Sequence, residues 1–232
     1  MHLRSSLASI LFTGLPLVLA AQAGGPDDSA SLSGQVVGDT YLSATGLFRI
    51  TVPVLPELGG NITDTPNVVT FADAFTTHIT IAVFPLDATQ RWEISTTSKK
   101  DYLVKFFTGF LLTDFRQKFP GSAVESATFL PTVQDGALLV YALLPGGSMF
   151  NPRIALFGAS DNLPTAKRGN LLFVKGDNIF ILSSEIAERA TERSLYTKTT
   201  AQEDEILRDR LMDVLGRIRF TGAATATPSA GK

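Results

Sequence analysis

The stretch SKKDYLVKFFTGFLLTDFRQKFPG, residues 98–121, constrains the fold more than any other part of the chain. Its apolar residues recur at spacings of one, three and four, which places them on one broad stripe of an α-helix. Ser98 with Asp101 resembles a capping box, and Pro120-Gly121 ends the helix. A stripe so rich in phenylalanine predicts a helix that lies flat over a sheet, with its rings in the core rather than around a cofactor. The stripe consists of Tyr102, Leu103, Phe106, Phe107, Phe110, Leu111 and Phe115.

Period-two patterns on both sides of this helix predict strands. In GLFRITVP, Phe48 and Ile50 alternate with polar residues, and Pro53 ends the strand. The stretch VVTFADAFTTHITIAVFPL, residues 68–86, predicts two more strands. ALLVYALLP, residues 137–145, is continuously apolar, as expected for a central strand covered on both faces.

Two short polar segments predict tight turns between strands. Asp135-Gly136 is expected to join a strand around residues 123–130 to the apolar strand that follows it. Gly176-Asp177-Asn178 lies between two apolar runs, and we interpret it as the corner of a hairpin rather than as a metal or ligand site.

The stretch AQEDEILRDRLMDVLGRI, residues 201–218, predicts a second amphipathic helix that Thr200 caps. Its acidic residues Glu203, Asp204 and Glu205 lie in the first turn, where the positive end of the helix dipole stabilises them. RIRF is expected to return to the sheet as a short last strand. The order of elements predicts an α+β fold in one domain.

The two ends of the chain differ from this middle part. Residues 1–23 have the pattern of a secretory signal peptide, with Arg4 before an apolar stretch and Ala21-Gln22-Ala23 at its end. The stretch is shorter than the roughly 20 residues that span a bilayer, so we expect cleavage before Gly24, export to the periplasm or medium, and no membrane segment in the mature chain. We predict a linker over residues 24–40, one domain over 41–221 and a disordered tail over 222–232.

Composition excludes several kinds of site. The chain has no cysteine and two histidines, of which only His78 remains after the expected cleavage. Zinc, haem and thiolate sites therefore lack their usual ligands, and we expect no metal and no cofactor. The net charge is −2 and the sequence shows no run of lysine and arginine, so we expect no nucleic-acid partner.

Candidate binding residues lie in two segments that we interpret as loops. PGGSMFNPR contains Met149, Phe150 and Arg153, whose types are enriched at protein interfaces. PLDATQRWE contains Trp92 beside Arg91 as a second candidate, although Trp92 is expected to pack against the edge between helix and sheet. Together with the signal-peptide pattern of residues 1–23, these residues favour an exported, non-catalytic protein that binds a protein or a small ligand, or takes part in an assembly. The alternatives are a cofactor-free hydrolase that uses His78 or a carboxylate pair, and a structural protein of the cell envelope.

The pattern from Tyr41 to Phe220 resembles the PsbP-like family. GLFRITVP at its start and DVLGRIRF at its end are similar to the opening strand and the closing helix and strand of that family. The resemblance implies an α/β/α sandwich around a mainly antiparallel sheet. It also implies a non-catalytic binding or assembly role, and no functional residue is carried over from it.

Overall fold

The computed structural model describes residues 32–74, 77–146, 165–186, 188–191 and 195–221. The strands are β1 (Gln35–Val37), β2 (Thr40–Leu42), β3 (Phe48–Thr51), β4 (Asn61–Thr65), β5 (Val68–Ala72), β6 (His78–Pro85), β7 (Ala123–Leu130), β8 (Ala137–Pro145), β9 (Thr165–Lys175), β10 (Asn178–Ile186) and β11 (Ile218–Phe220). The α-helices are α1 (Ala88–Thr96), α2 (Lys99–Phe106), α3 (Leu112–Lys118), α4 (Glu188–Thr191) and α5 (Thr200–Arg217). A 3-10 turn covers Pro56–Leu58, and a π-helical turn, Phe107–Leu111, joins α2 to α3.

The described strands form two sheets. The large sheet has seven strands in the order β4-β5-β6-β10-β9-β8-β7, and every neighbouring pair in it is antiparallel. The small sheet has the order β1-β2-β3-β11, also antiparallel throughout. Helices α1 to α3 connect β6, near the middle of the large sheet, to β7 at its edge.

The large sheet separates two hydrophobic cores, because successive side chains on each strand point to opposite faces. On one face, helices α2 and α3 bury a core that includes Tyr102, Phe107 and Phe115. On the other face, α5 and the small sheet pack together over a second core, which includes Phe48, Phe173 and Leu211. The molecule is therefore an α+β sandwich around an antiparallel sheet, and the predicted fold class is confirmed.

The long aromatic helix is present, but its middle departs from the predicted stripe. Ser98 caps it by accepting a hydrogen bond from the Asp101 amide at 3.0 Å. In the π turn, the Leu112 amide bonds back to the Phe107 carbonyl, five residues earlier. Since a π turn takes more residues per turn than an α-helix, Phe110 leaves the predicted stripe, while Leu111 and Phe115 stay buried. Phe110 is 54% exposed, so its prediction as a core residue is wrong.

Both predicted turns are present. Gly176 and Asp177 form a two-residue loop between β9 and β10, and only Gly176 has a positive φ, as in a hairpin turn with glycine at the first central position. The tripeptide is the corner of a hairpin. Asp135-Gly136 ends the connection from β7 to β8, and the Lys99 ammonium group donates to the Asp135 carbonyl at 2.7 Å.

Three local features differ from the sequence predictions. Strand β1 and the start of β2 fall within the predicted linker, where Asp64 accepts hydrogen bonds from the amides of Ser33 and Gly34 and holds the segment in place. The segment around Trp92, predicted to be a loop, is helix α1. The cap of α5 is Thr199, one residue before the predicted one, because Thr199 and Gln202 form a reciprocal capping box.

Candidate functional site

Trp92 and Arg91 lie on helix α1, whose N-terminus is fixed by a capping box. Asp87 accepts from the Gln90 amide at 2.7 Å, and Gln90 accepts from the Asp87 amide at 2.9 Å. Arg91 donates to the Leu86 carbonyl and so faces back toward the end of β6. Trp92 is 66% exposed, so the expectation that it packs against the helix–sheet edge is wrong. Its indole lies on the surface of the helical layer.

A second exposed aromatic residue, Phe110, lies in the π turn of the same layer. Its ring is 5.4 Å from that of Phe106 and 6.0 Å from that of Phe84, measured between centroids. An ion pair between Lys105 and Glu93, at 2.8 Å, joins α2 to α1. We use the name aromatic surface for two exposed parts of the helical layer, Trp92 on α1 and Phe110 with the partly buried rings of Phe84 and Phe106.

Exposed aromatic side chains on helices are informative, because folding gains nothing from leaving rings of this size in water. Aromatic residues are enriched at protein interfaces, where they bury large areas with few rotatable bonds. π turns within helices also occur frequently at functional sites. The aromatic surface therefore has the composition of a contact site, and of its residues only Trp92 is a binding residue predicted from the sequence.

On the other face of the large sheet, Lys167 is a fully buried lysine at 0% exposure. Its ammonium group contacts Glu125 and Asp204 and lies 3.3 Å from Glu203. Glu203 is buried too, and it also accepts from Arg189 at 3.2 Å and from the Tyr196 hydroxyl at 2.9 Å. We call Lys167 and these three carboxylates the lysine centre.

The electrostatics of the lysine centre keep Lys167 charged. Burial by itself lowers the pKa of Lys167, but the hydrogen bonds that its ammonium group donates to Asp204 and Glu125 outweigh it, so the pKa lies above its ordinary value. A lysine acting as a nucleophile or forming a Schiff base needs a lowered pKa, so this one is unsuited to either role. The centre instead ties the first turn of α5 to β7 and β9. The interpretation of Glu203 and Asp204 by the helix dipole alone is incomplete.

His78 lies in β6, on the opposite face of the large sheet, and is 6% exposed. Burial lowers the pKa of His78, and the negative charge of Asp73 opposes that effect. In the same layer Arg168 lies 3.5 Å from Glu185, and the Ser183 hydroxyl donates to Asn170 at 2.9 Å. The imidazole thus lies on the same face as a row of buried polar side chains.

The remaining predicted site residues, Met149, Phe150 and Arg153, lie outside the described residues. Within the described part of the chain, no group of three or more histidine, aspartate and glutamate side chains is placed to hold a metal ion. In that same part, none of the helices has the length and apolar content needed to cross a bilayer.

Comparison with known proteins gives similar structures but no related sequence. No protein-family model matches the chain, and no curated protein matches it. A cyanobacterial PsbP (CyanoP) of Synechocystis sp. PCC 6803 is similar, with a TM-score of 0.48 and 11% identity over 86% of this chain and 99% of that protein. The Ran-binding protein Mog1p of Saccharomyces cerevisiae gives a TM-score of 0.47 and 12% identity over 82% of this chain and 96% of that protein.

A structure from Bacteroides thetaiotaomicron gives a TM-score of 0.41 and 11% identity over 80% of this chain. The chain spans about half of that protein, 49% of its length. A PsbP protein, the family that the sequence resembles, is thus among the similar structures. With TM-scores under 0.5, these similarities assign neither a family nor a function to the chain.

Proposed function

We propose that this chain is an exported, non-catalytic protein that binds a partner protein through the aromatic surface of its helical layer. The observation that carries the proposal is the exposure of two aromatic side chains, Trp92 on α1 and Phe110 in the π turn, beside the core that α2 and α3 bury. Large aromatic residues that the core does not bury are the usual anchors of a protein interface. Export rests on the signal-peptide pattern of residues 1–23.

The buried polar groups support a binding role over a hydrolytic one. Lys167 stays charged because it forms ion pairs with three carboxylates, and these carboxylates are in turn occupied by the ion pairs. His78, the histidine of the hydrolase alternative, is buried in the sheet. Replacing His78 by Ala in a broad hydrolase screen tests the alternative, because a loss of activity in that variant would favour the enzyme.

The binding proposal is tested by capture of partners from the native exported fraction. We expect the double variant Trp92→Ser/Phe110→Ser to fold normally and to lose at least about tenfold in capture, since interface aromatics contribute 2 kcal/mol or more in typical hot spots. The matched control is Leu55→Ser, because Leu55 is 58% exposed but follows Val54, which packs in the core on the α5 side.

Three outcomes separate the proposal from its alternatives. Loss of capture in the double variant with full capture by the control supports the aromatic surface. Equal capture by all three proteins overturns it, and the segment with Met149 and Phe150 then becomes the next candidate. Tight fractionation with the envelope and no released partner would favour a structural envelope protein. Export itself is tested by N-terminal sequencing of the exported chain, which we expect to begin at Gly24.

A further inference from the structure

Three arginines from distant parts of the sequence meet on the outer face of the small sheet. Arg49 lies in β3, Arg217 ends α5, and Arg219 lies in β11. They line one open groove of about 260 Å³ together with Thr40, Thr51 and Gly216. We call it the arginine groove.

The strand register makes the arginine groove unusual. Arg219 is the direct cross-strand partner of Arg49, so their β-carbons are about 4.5–5.5 Å apart. Both side chains point outward, because Phe48 and Ile50 on β3 and Ile218 on β11 are buried. Like charges directly opposite each other destabilise a sheet. A bound anion would turn this repulsion into attraction.

Two of the guanidinium groups are already held in place. Arg217 donates to Asp213 at 2.8 Å, and Arg219 donates to the Gly216 carbonyl at 3.0 Å. Each of these contacts uses only one of the five N–H groups of an arginine. Among the described residues, Arg49 has neither an ion pair nor a side-chain hydrogen bond. The groove therefore presents several oriented donors and a surplus of positive charge on a chain whose net charge is −2.

From this geometry we propose that the arginine groove binds a phosphate group. The planar fork of a guanidinium matches two oxygens of a phosphate, and three arginines can share the oxygens and the charge of one such group. The hydroxyl of Thr51 adds a neutral donor at the rim, whereas the Thr40 hydroxyl already donates to the Asp39 carboxylate at 3.0 Å. This site is independent of the aromatic surface, which lies on the other side of the large sheet.

The phosphate has two sources, a small soluble molecule or the headgroup of an anionic lipid. The exposed side chain of Leu42 is the cross-strand partner of Arg49 and lies on the same outward face. An apolar residue beside basic ones is also found where proteins contact an anionic membrane surface. The test therefore uses inorganic phosphate alone in one arm and lipid vesicles in the other.

In the first arm, inorganic phosphate is titrated into the full chain while its melting temperature is followed. We expect phosphate to raise the melting temperature, because a ligand that binds only the folded state stabilises it. Arg49→Gln and Arg219→Gln should each weaken phosphate binding about tenfold or more, the loss of one charge-assisted contact. Arg208→Gln is the matched control, since Arg208 is an exposed arginine of α5 outside the groove and carries the same charge.

In the second arm, the same proteins are sedimented with vesicles of phosphatidylcholine, with and without phosphatidylglycerol. Sedimentation that requires phosphatidylglycerol and is lost in Arg49→Gln assigns the phosphate to a lipid headgroup. Phosphate binding without vesicle binding assigns it to a soluble molecule.

The melting temperatures of the variants without ligand show whether the arginines stabilise the fold or act only in binding. Without phosphate, Arg49→Gln should melt no lower than the wild-type chain, because it removes a repulsion. If that variant fails to fold, Arg49→Lys decides, since it keeps the charge but lacks the fork and should still bind phosphate more weakly. The proposal is overturned if neither phosphate nor phosphatidylglycerol vesicles bind, or if the groove variants bind as well as Arg208→Gln.

Discussion

Lys167 combines full burial with a full charge, and three carboxylates compensate for it. Removing a charged group from water costs several kcal/mol, which close contacts with opposite charges offset. The lysine centre joins three elements that are separate in the sequence, because Glu125 lies in β7, Lys167 in β9 and Glu203 in α5. At the scale of single residues, the lysine centre fixes where the last helix begins on the sheet.

Replacing Lys167 by Met should destabilise the protein by about 3–5 kcal/mol, because three neighbouring carboxylates then lose the cation they share and the buried Glu203 keeps only Arg189 as a cationic partner among the described residues. Urea denaturation at neutral pH measures the loss. Lys105→Met, which breaks the exposed pair with Glu93, is the control and should change little. A loss below about 1 kcal/mol for Lys167→Met would show that the lysine centre is not buried in solution.

The tyrosines give a second residue-scale prediction, because burial raises the pKa of all four of them. The pKa of Tyr102 and that of Tyr141 rise to about 12. The pKa values of Tyr41 and Tyr196 rise as well, through burial first and then through hydrogen bonds to Asp64 and Glu203. The folded chain thus holds each phenolic proton more tightly than the unfolded chain does.

The resulting stability is fully present below pH 10, the ordinary pKa, and is lost as the pH rises through the higher folded values. We expect the phenolate absorbance of the folded protein to stay low at pH 10 and to appear together with alkaline unfolding. A urea-unfolded sample should titrate near 10. A folded sample in which one or more tyrosines ionise near pH 10 would contradict the burial described here.

At the scale of elements, the π turn between α2 and α3 divides the phenylalanines into two groups. Phe107 lies in the core, and its ring is 6.2 Å from that of Phe115, whereas Phe110 points outward. The turn therefore converts part of an apolar stripe into a surface. This conversion links the local hydrogen-bond pattern of the helix to the proposed contact site.

Replacing Phe107 and Phe110 by alanine should give different losses of unfolding free energy, because only Phe107 is buried. Phe107→Ala should cost about 3–5 kcal/mol of unfolding free energy, the range for a buried phenylalanine. Phe110→Ala should cost less than about 1 kcal/mol, as for other exposed positions. Urea denaturation of both variants measures the difference. Similar large losses in both would mean that the predicted uninterrupted stripe was correct after all.

Local patterns were sufficient for many elements and insufficient for the sites. The period-two strand at Phe48–Thr51 and the loop at Gly176-Asp177 follow from neighbouring residues alone, and both are present. Helix α1 had a sequence signal, Asp87 followed by Gln90, that the loop interpretation overlooked. The lysine centre and the arginine groove depend on strand order and register, which bring together residues far apart in the chain.

At the scale of the whole molecule, the large sheet has different chemistry on its two sides. The helical layer presents the aromatic surface, and the layer of α5 and the small sheet presents the arginine groove. A non-catalytic protein with two such surfaces would be able to hold a protein partner and a phosphate-bearing molecule together. The central claim is that the aromatic surface contacts a protein partner.

Trp92 allows the central claim to be measured directly, because it is the only tryptophan in the chain. Its fluorescence reports on the aromatic surface without any substitution. The measurement is collisional quenching of Trp92 fluorescence by iodide. It is made first in the free chain and then in the complex with a partner that is isolated from the exported fraction and contains no tryptophan. We predict strong quenching in the free chain and several-fold weaker quenching in the complex. Equal quenching in both states, with the partner bound, would contradict the account, because the interface would then lie elsewhere.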